Sequence, residues 1–140
     1  MCIRDRVTNA LNIANELTVR SHVKIVVIGG VLRPQSYELI GPLANPMLSQ
    51  LTLDFAILGV DAFGLERGAG AHNEAEAEIN ARLARQAHRV VVVADSSKLG
   101  RAAFAQILPL SEIDTLVTDS GADPELLKDL IKAGVEVIEA

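Results

Sequence analysis

The chain has 140 residues, 49% hydrophobic, 22% charged and 3% aromatic, with a formal net charge of −5. That length fits one domain with a buried core, and so apolar a composition excludes a disordered chain. The charge offers no whole-chain attraction to a phosphate backbone, the few rings leave little to stack on single-stranded nucleic acid, and a lone cysteine, Cys2, excludes an internal disulfide and a cysteine-built metal site.

The opening MCIRDR is polar and has no apolar stretch like a signal peptide. It passes abruptly into Val7-Thr8-Asn9, with no leading strand expected. Residues 1–6 are therefore expected to be a non-native leader, with native sequence missing upstream of residues 7–140. Asn9 to Arg20 places Leu11, Ala14, Leu17 and Ile13 at helical spacing, with Asn9 as N-cap. Val23 to Ile28 is a β-branched run stopped by Gly29-Gly30, which predicts a buried strand and a turn. Pro34 keeps the next segment irregular. Leu39 to Leu51 reads as a helix, with Pro42 near its first turn and Pro46 limiting it.

Leu53 to Val60 reads as a strand, and Asp61 to His72 as a long glycine-rich loop. Asn73 to His88 reads as a helix with Ala77, Leu83, Ala84 and Ala87 inward. Val90 to Ala94 is a buried strand, followed by the polar loop Ser96 to Gly100. Phe104 to Leu108 and Asp114 to Thr118 read as strands, with a turn at Glu112-Ile113. Asp123-Pro124 starts a helix to Ala133, Gly134 stops it, and Val135 to Ile138 is the last strand. The longest apolar runs fall short of the ~20 residues a membrane span requires, so a soluble protein with no membrane partner is expected, and the single cysteine fits a reducing, cytoplasmic compartment.

Apolar strands alternating with helices predict an α/β fold, a mostly parallel sheet with helices on both faces, Rossmann-like in layering. Such sheets hold ligands beyond the carboxyl ends of their strands. Gly29-Gly30, Gly59 to Asp61, Asp95 to Lys98 and Thr118-Asp119 all fall at or just after predicted strand ends.

Each candidate there has a functional and a plain reading. Gly29-Gly30 admits a phosphate to backbone amides, or is a tight turn. Arg33 clamps a phosphate with its planar fork, or is a solvated arginine. Asp61 accepts sugar hydroxyls or serves as a base, or it caps its loop. Glu76 is a ligand carboxylate, or it complements the helix dipole. Lys98 neutralises an anionic ligand, or is a solvated loop lysine. Asp95 is expected to bond the amides of its own loop. Tyr37 is a lid or a surface residue. His22 is placed in a turn, His88 at a helix end and His72 on the glycine-rich loop; no pair has ligand spacing, so no metal is expected. Cys2 has no paired base and is not expected to be a nucleophile. Gly68-x-Gly70 echoes a dinucleotide fingerprint, but its third glycine is replaced by Asn73 and its loop is too long.

Taken in order, Val7-Thr8-Asn9-Ala10-Leu11-Asn12-Ile13-Ala14, Ile28-Gly29-Gly30-Val31-Leu32-Arg33, Leu58-Gly59-Val60-Asp61, His72-Asn73-x-x-Glu76-Ala77, Ala94-Asp95-Ser96-Ser97-Lys98-Leu99-Gly100, Leu116-Val117-Thr118-Asp119 and Gly134-Val135-Glu136-Val137-Ile138 form a pattern. It resembles the C-terminal sensor domain of DeoR/GlpR-family bacterial transcriptional regulators, from Val7 to Ala140. The resemblance implies a fold like ribose-5-phosphate isomerase and glucosamine-6-phosphate deaminase, with the enzyme pocket reused as a sensor. It implies a repressor of sugar catabolism whose operator affinity is set by a phosphorylated sugar, with no catalytic residues and no cofactor. By it, Asn9, Gly29, Gly30, Arg33, Asp61, Glu76 and Lys98 are the ligand-binding candidates, and a homo-oligomer is expected.

The family also has a winged helix-turn-helix and an Asp-x-Gly-Thr-Thr phosphate loop upstream, and neither is found in these 140 residues. DNA is therefore expected as a partner only through that missing N-terminal domain. Where the family often has threonine, this chain has Gly70-Ala71. The competing expectation is a sugar-phosphate isomerase or deaminase using Asp61, Glu76 and Lys98 as acid, base and charge stabiliser. A stand-alone binding module or pseudogene remnant is a third.

Overall fold

A computed structural model describes residues 4–140; Met1, Cys2 and Ile3, and with them the expectation about Cys2, lie outside the described residues. The chain divides into two compact units, Met1–Gln50 and Leu51–Ala140.

The first unit begins with a strand where none was expected. β1 (Arg4–Thr8) pairs in parallel with β2 (Val23–Val27), Arg4 opposite Val23 and Thr8 opposite Val27. The boundary expected between residues 6 and 7 thus falls inside a strand. Val7-Thr8 alone is too short to signal an element, and it is the partner strand that extends the pairing back to Arg4. Between them α1 (Leu11–Leu17) is shorter than the expected Asn9–Arg20 helix and buries no residue. Its N-cap is Ala10, not Asn9, and no side chain caps it. Leu11 and Ile13, of the expected apolar face, are exposed.

β2 is half-buried at Val23, Ile25 and Val26 and exposed at Lys24 and Val27, and full burial comes only at Ile28. The segment around Pro34 is regular rather than irregular: β3 (Val31–Arg33) and β4 (Glu38–Ile40) form an antiparallel hairpin. Pro34 follows Arg33, whose carbonyl accepts from the Ser36 amide at 3.3 Å. Proline's fixed φ suits that second position of a β-turn, so here it makes the hairpin. Tyr37 completes the connection at φ 60° and is exposed. The single helix expected over Leu39 to Leu51 is replaced by β4, a 3-10 turn (Pro42–Ala44) and the short α2 (Asn45–Leu48). Two prolines in that stretch each remove an amide donor, which prevents one continuous helix.

In the second unit β5 (Leu53–Gly59) runs as expected. The glycine-rich stretch expected to be a loop is instead a buried hairpin, β6 (Ala62–Gly64) with β7 (Gly68–Ala71), joined antiparallel to β9 (Ala105–Leu108). Its glycines allow close backbone approach. A Cβ on Gly70 would lie 3.2 Å from the Ala105 carbonyl oxygen, and one on Gly68, at φ +66°, would run into the Leu108 carbonyl oxygen. This spends the glycines of the dinucleotide-like pattern on packing.

α3 (Glu74–Arg85) is capped by Asn73, whose Oδ1 accepts from the Ala75 and Glu76 amides, both at 3.0 Å. It ends before His88, because β8 (Ala87–Val93) pairs back to Ala87 opposite Leu53. His88 is therefore in a strand, not at a helix end. A 3-10 turn (Ser96–Lys98) follows β8, and another (Leu110–Glu112) follows β9. β10 (Thr115–Thr118), α4 (Pro124–Lys132) and β11 (Glu136–Glu139) complete the chain. Asp123 caps α4 through the Glu125 amide at 3.0 Å. Gly134, at φ +98°, ends it; its amide bonds Ile131 and that of Val135 bonds Leu130, the two bonds of a Schellman stop.

The main sheet is parallel, in the order β11-β10-β8-β5. This is the expected α/β, Rossmann-like arrangement, a parallel sheet flanked by helices. Ala56, Leu58, Val90, Val92 and Leu116 share a core with Ala77, Ala81 and Ala84 of α3 and Leu127 and Leu130 of α4. The alternate side-chain row, with Phe55, Ile57, Val93 and Ile138, is exposed.

Candidate functional site

Three neighbouring parallel strands, β5, β8 and β10, end at one rim of the second unit. Val60-Asp61, Asp95 to Lys98 and Asp119 to Gly121 follow those ends directly. Backbone pairing holds the first two together. Phe63 bridges Leu99, and the Gly100 amide bonds the Phe63 carbonyl at 2.8 Å. Asp61 thus lies two residues before one end of that bridge, and Lys98 one residue before the other.

Asp61 is half-buried. Its amide bonds the Gly70 carbonyl at 2.9 Å and its Oδ2 accepts the His72 amide at 2.8 Å. One carboxylate oxygen therefore closes the base of the β6–β7 hairpin just before the Asn73 cap. The loop-capping reading of Asp61 is present in the geometry, and its second oxygen keeps acceptor capacity for a ligand. Glu76 is half-buried in the first turn of α3, where its amide is fixed by Asn73. A carboxylate there also complements the helix dipole. Asp61 and Glu76 are thereby brought to the same end of one helix.

Lys98 closes the turn after β8. Asp95 Oδ1 accepts the Ser97 amide at 2.9 Å and the Ser97 hydroxyl, and the Lys98 amide bonds the Asp95 carbonyl at 3.1 Å. Asp95 thus organises its own loop, as expected. The Ser97 hydroxyl and amide, helped by the Lys98 charge, hold its carboxyl below the usual carboxylate value.

Asp119 was expected at the rim but assigned no role. Its Oδ2 accepts the Ser96 amide and its Oδ1 the Gly121 amide, each at 2.8 Å. Those two amides, with the Ser96 hydroxyl, hold its carboxyl below the ordinary value. The available signal was an Asp after a strand with glycine two residues on, a turn signature. Its reach to Ser96, across 23 residues, has no local trace.

The remaining candidates lie in the first unit, where Asn9 and Gly29-Gly30 follow the carboxyl ends of β1 and β2. Asn9 is buried; its Nδ2 donates to the Leu39 carbonyl at 3.2 Å and its carbonyl accepts the Leu39 amide at 2.8 Å. Gly30 packs on the same strand: a Cβ there would lie 2.6 Å from the Ile40 carbonyl oxygen. Gly29 is exposed, with open space where a Cβ would stand. So β4 gathers Asn9 and Gly30. Arg33 pairs in register with Glu38, which bridges Ala10 on its other side, so β4 separates Arg33 from Asn9-Ala10.

Among the described residues no group of three or more histidine, cysteine, aspartate or glutamate side chains could hold a metal ion. Nor is any described helix long and apolar enough to cross a membrane.

The family model described as the DeoR C-terminal sensor domain matches residues 5–120. A putative aga operon transcriptional repressor of Escherichia coli O157:H7 is 43% identical over 94% of this chain and 49% of its own length. The HTH-type transcriptional regulator GlpR of Haloferax volcanii is 36% identical over 95% of the chain and 52% of its own. The glycerol-3-phosphate regulon repressor of Escherichia coli is 32% identical over 81% of the chain and 45% of its own. The chain thus spans about half the length of the curated relatives it matches. The family and these relatives are named as transcriptional regulators, not enzymes. On this match the chain belongs to the family of DeoR C-terminal sensor domains.

Proposed function

We propose that this chain is the ligand-sensing part of a cytoplasmic, homo-oligomeric transcriptional repressor of sugar catabolism, and that its ligand is a phosphorylated sugar. The observation that carries this reading is the rim of the second unit. There a lysine is held in an ordered turn one strand away from a carboxylate that is tied to a helix start. That combination suits a ligand with an anionic end and hydroxyls. Lys98 takes the phosphoryl charge, and the free lone pairs of Asp61, with Glu76, accept sugar hydroxyls. In the first unit, taken by itself, Asn9, the exposed Gly29 with Gly30, and Arg33 remain ligand-binding candidates by the family pattern alone. The repressor names of the relatives, one of them for a glycerol-3-phosphate regulon, support this class of effector.

The response is ligand-linked. A sugar phosphate shifts the regulator only by its differential affinity for two states, and DNA is contacted through a separate N-terminal domain. The test is calorimetric titration of a panel of sugar phosphates into the full-length regulator and its Lys98→Ala variant. Loss of a charge-assisted contact lowers affinity by about tenfold or more. Unchanged affinity removes Lys98 from the site.

A further inference from the structure

We propose that Asp119 is a positioning residue for the ligand site: it fixes the turn that carries Lys98. This rests on the reading of Lys98 as the phosphoryl contact.

One carboxylate spans the loops after β8 and β10, neighbours in the sheet. Asp119 Oδ2 takes the Ser96 amide and Oδ1 takes the Gly121 amide, both at 2.8 Å. Ser96 is the first residue of the 3-10 turn that ends at Lys98. Within that turn the Lys98 amide bonds Asp95 and the Leu99 amide bonds Ser96. Asp95 therefore shapes the turn from inside, while Asp119 anchors it to the adjacent strand.

Gly121 leaves room for the anchor: a Cβ there would lie 2.9 Å from Asp119 Oδ1 and 3.0 Å from Ser96 Oγ and would press on both side-chain tips. The two amides approach different oxygens of the Asp119 carboxylate, so an Asn at this position would turn an N–H toward one of them. These same amides stabilise the ionised carboxylate and weaken its hold on a proton, which keeps the anchor charged.

The test is a double-mutant cycle in the full-length regulator, with Asp119→Asn, Lys98→Ala and the double variant, titrated with inorganic phosphate. Hydrogen exchange of the Ser96 to Leu99 amides is followed in parallel. Asp119→Asn speeds Ser96 exchange by about tenfold while α4 amides keep their rates, and it weakens phosphate binding. In the Lys98→Ala background the same change costs no further affinity, because Asp119 acts through Lys98. Additive losses, or unchanged Ser96 exchange, overturn the proposal. If Lys98→Ala alone leaves phosphate affinity unchanged, the ligand reading fails, and the anchoring role is then decided by exchange alone.

Discussion

Replacing Gly68 by alanine tests whether the glycine-rich stretch is a packed hairpin. Gly68 stands at φ +66°, and a Cβ there would overlap the Leu108 carbonyl oxygen and lie 2.7 Å from the Leu110 nitrogen and 2.8 Å from the Pro109 carbonyl carbon. All three are backbone atoms, so no side chain can swing aside. The left-handed conformation costs an alanine roughly 1–2 kcal/mol. Forcing the β9 end outward adds about 1–3 kcal/mol, as overpacking does. Alanine's stiffer unfolded chain returns about 0.4–1 kcal/mol. The net is about 3 kcal/mol of destabilisation, a large part of a domain's stability. Urea unfolding followed by circular dichroism measures it, and hydrogen exchange at β7 and β9 localises it. Gly29→Ala, with open space at its Cβ, is the control and changes stability by less than about 0.5 kcal/mol. A Gly68→Ala variant as stable as the parent would refute the packed hairpin, because that is what a loose loop would give.

Gly30→Ala, whose Cβ would meet the Ile40 carbonyl oxygen, destabilises by about 1–3 kcal/mol in the same urea titration, separating the two halves of the Gly29-Gly30 pair. Asn73→Ala removes the acceptor of two amides at the start of α3 and costs about 1 kcal/mol in thermal unfolding; no loss would mean that Asn73 is not the cap. Asp95 and Asp119 both have native values below the ordinary 3.8, so between the two values the unfolded state binds more protons. Their stabilisation is complete above that ordinary value and is lost as pH falls through their native values. Protection of the Ser96 and Ser97 amides, measured as exchange relative to the intrinsic rate at each pH, falls only in that acid range, and a loss of protection near neutral pH would contradict the assignment.

Family membership and the parallel α/β fold were legible in the sequence, because they rest on apolar runs and motifs spread over the whole chain. At several places the deciding contact lies within a few residues, and there the residue types carry the signal. Asn73 and Asp123 cap amides two or three positions on, Asp95 bonds Ser97, and Gly134 ends its helix by bonds to Ile131 and Leu130. β5 and the apolar centre of β8 followed from β-branched and apolar runs that suit a buried strand, while pairing with β5 extended β8 back to Ala87.

Tertiary structure decided the rest. Arg4 to Arg6 are polar, and they are strand only because β2 offers them a parallel edge. Asn9 looked like a helix cap, but Leu39, 30 residues away, takes both its side chain and its carbonyl. The glycines of 64–70 looked like a loop, since glycine signals freedom in sequence; packed under β9 they are where a Cβ does not fit. Asp119 shows the same limit at the candidate site. Its residue type and place at a strand end were readable, but which amide it would hold depended on β8 and β10 becoming neighbours. The sequence by itself determined what each segment could form and which polar residues would stand at strand ends. Only folding decided which of them meet, because a hydrogen bond or a steric contact between distant residues leaves no periodicity along the chain.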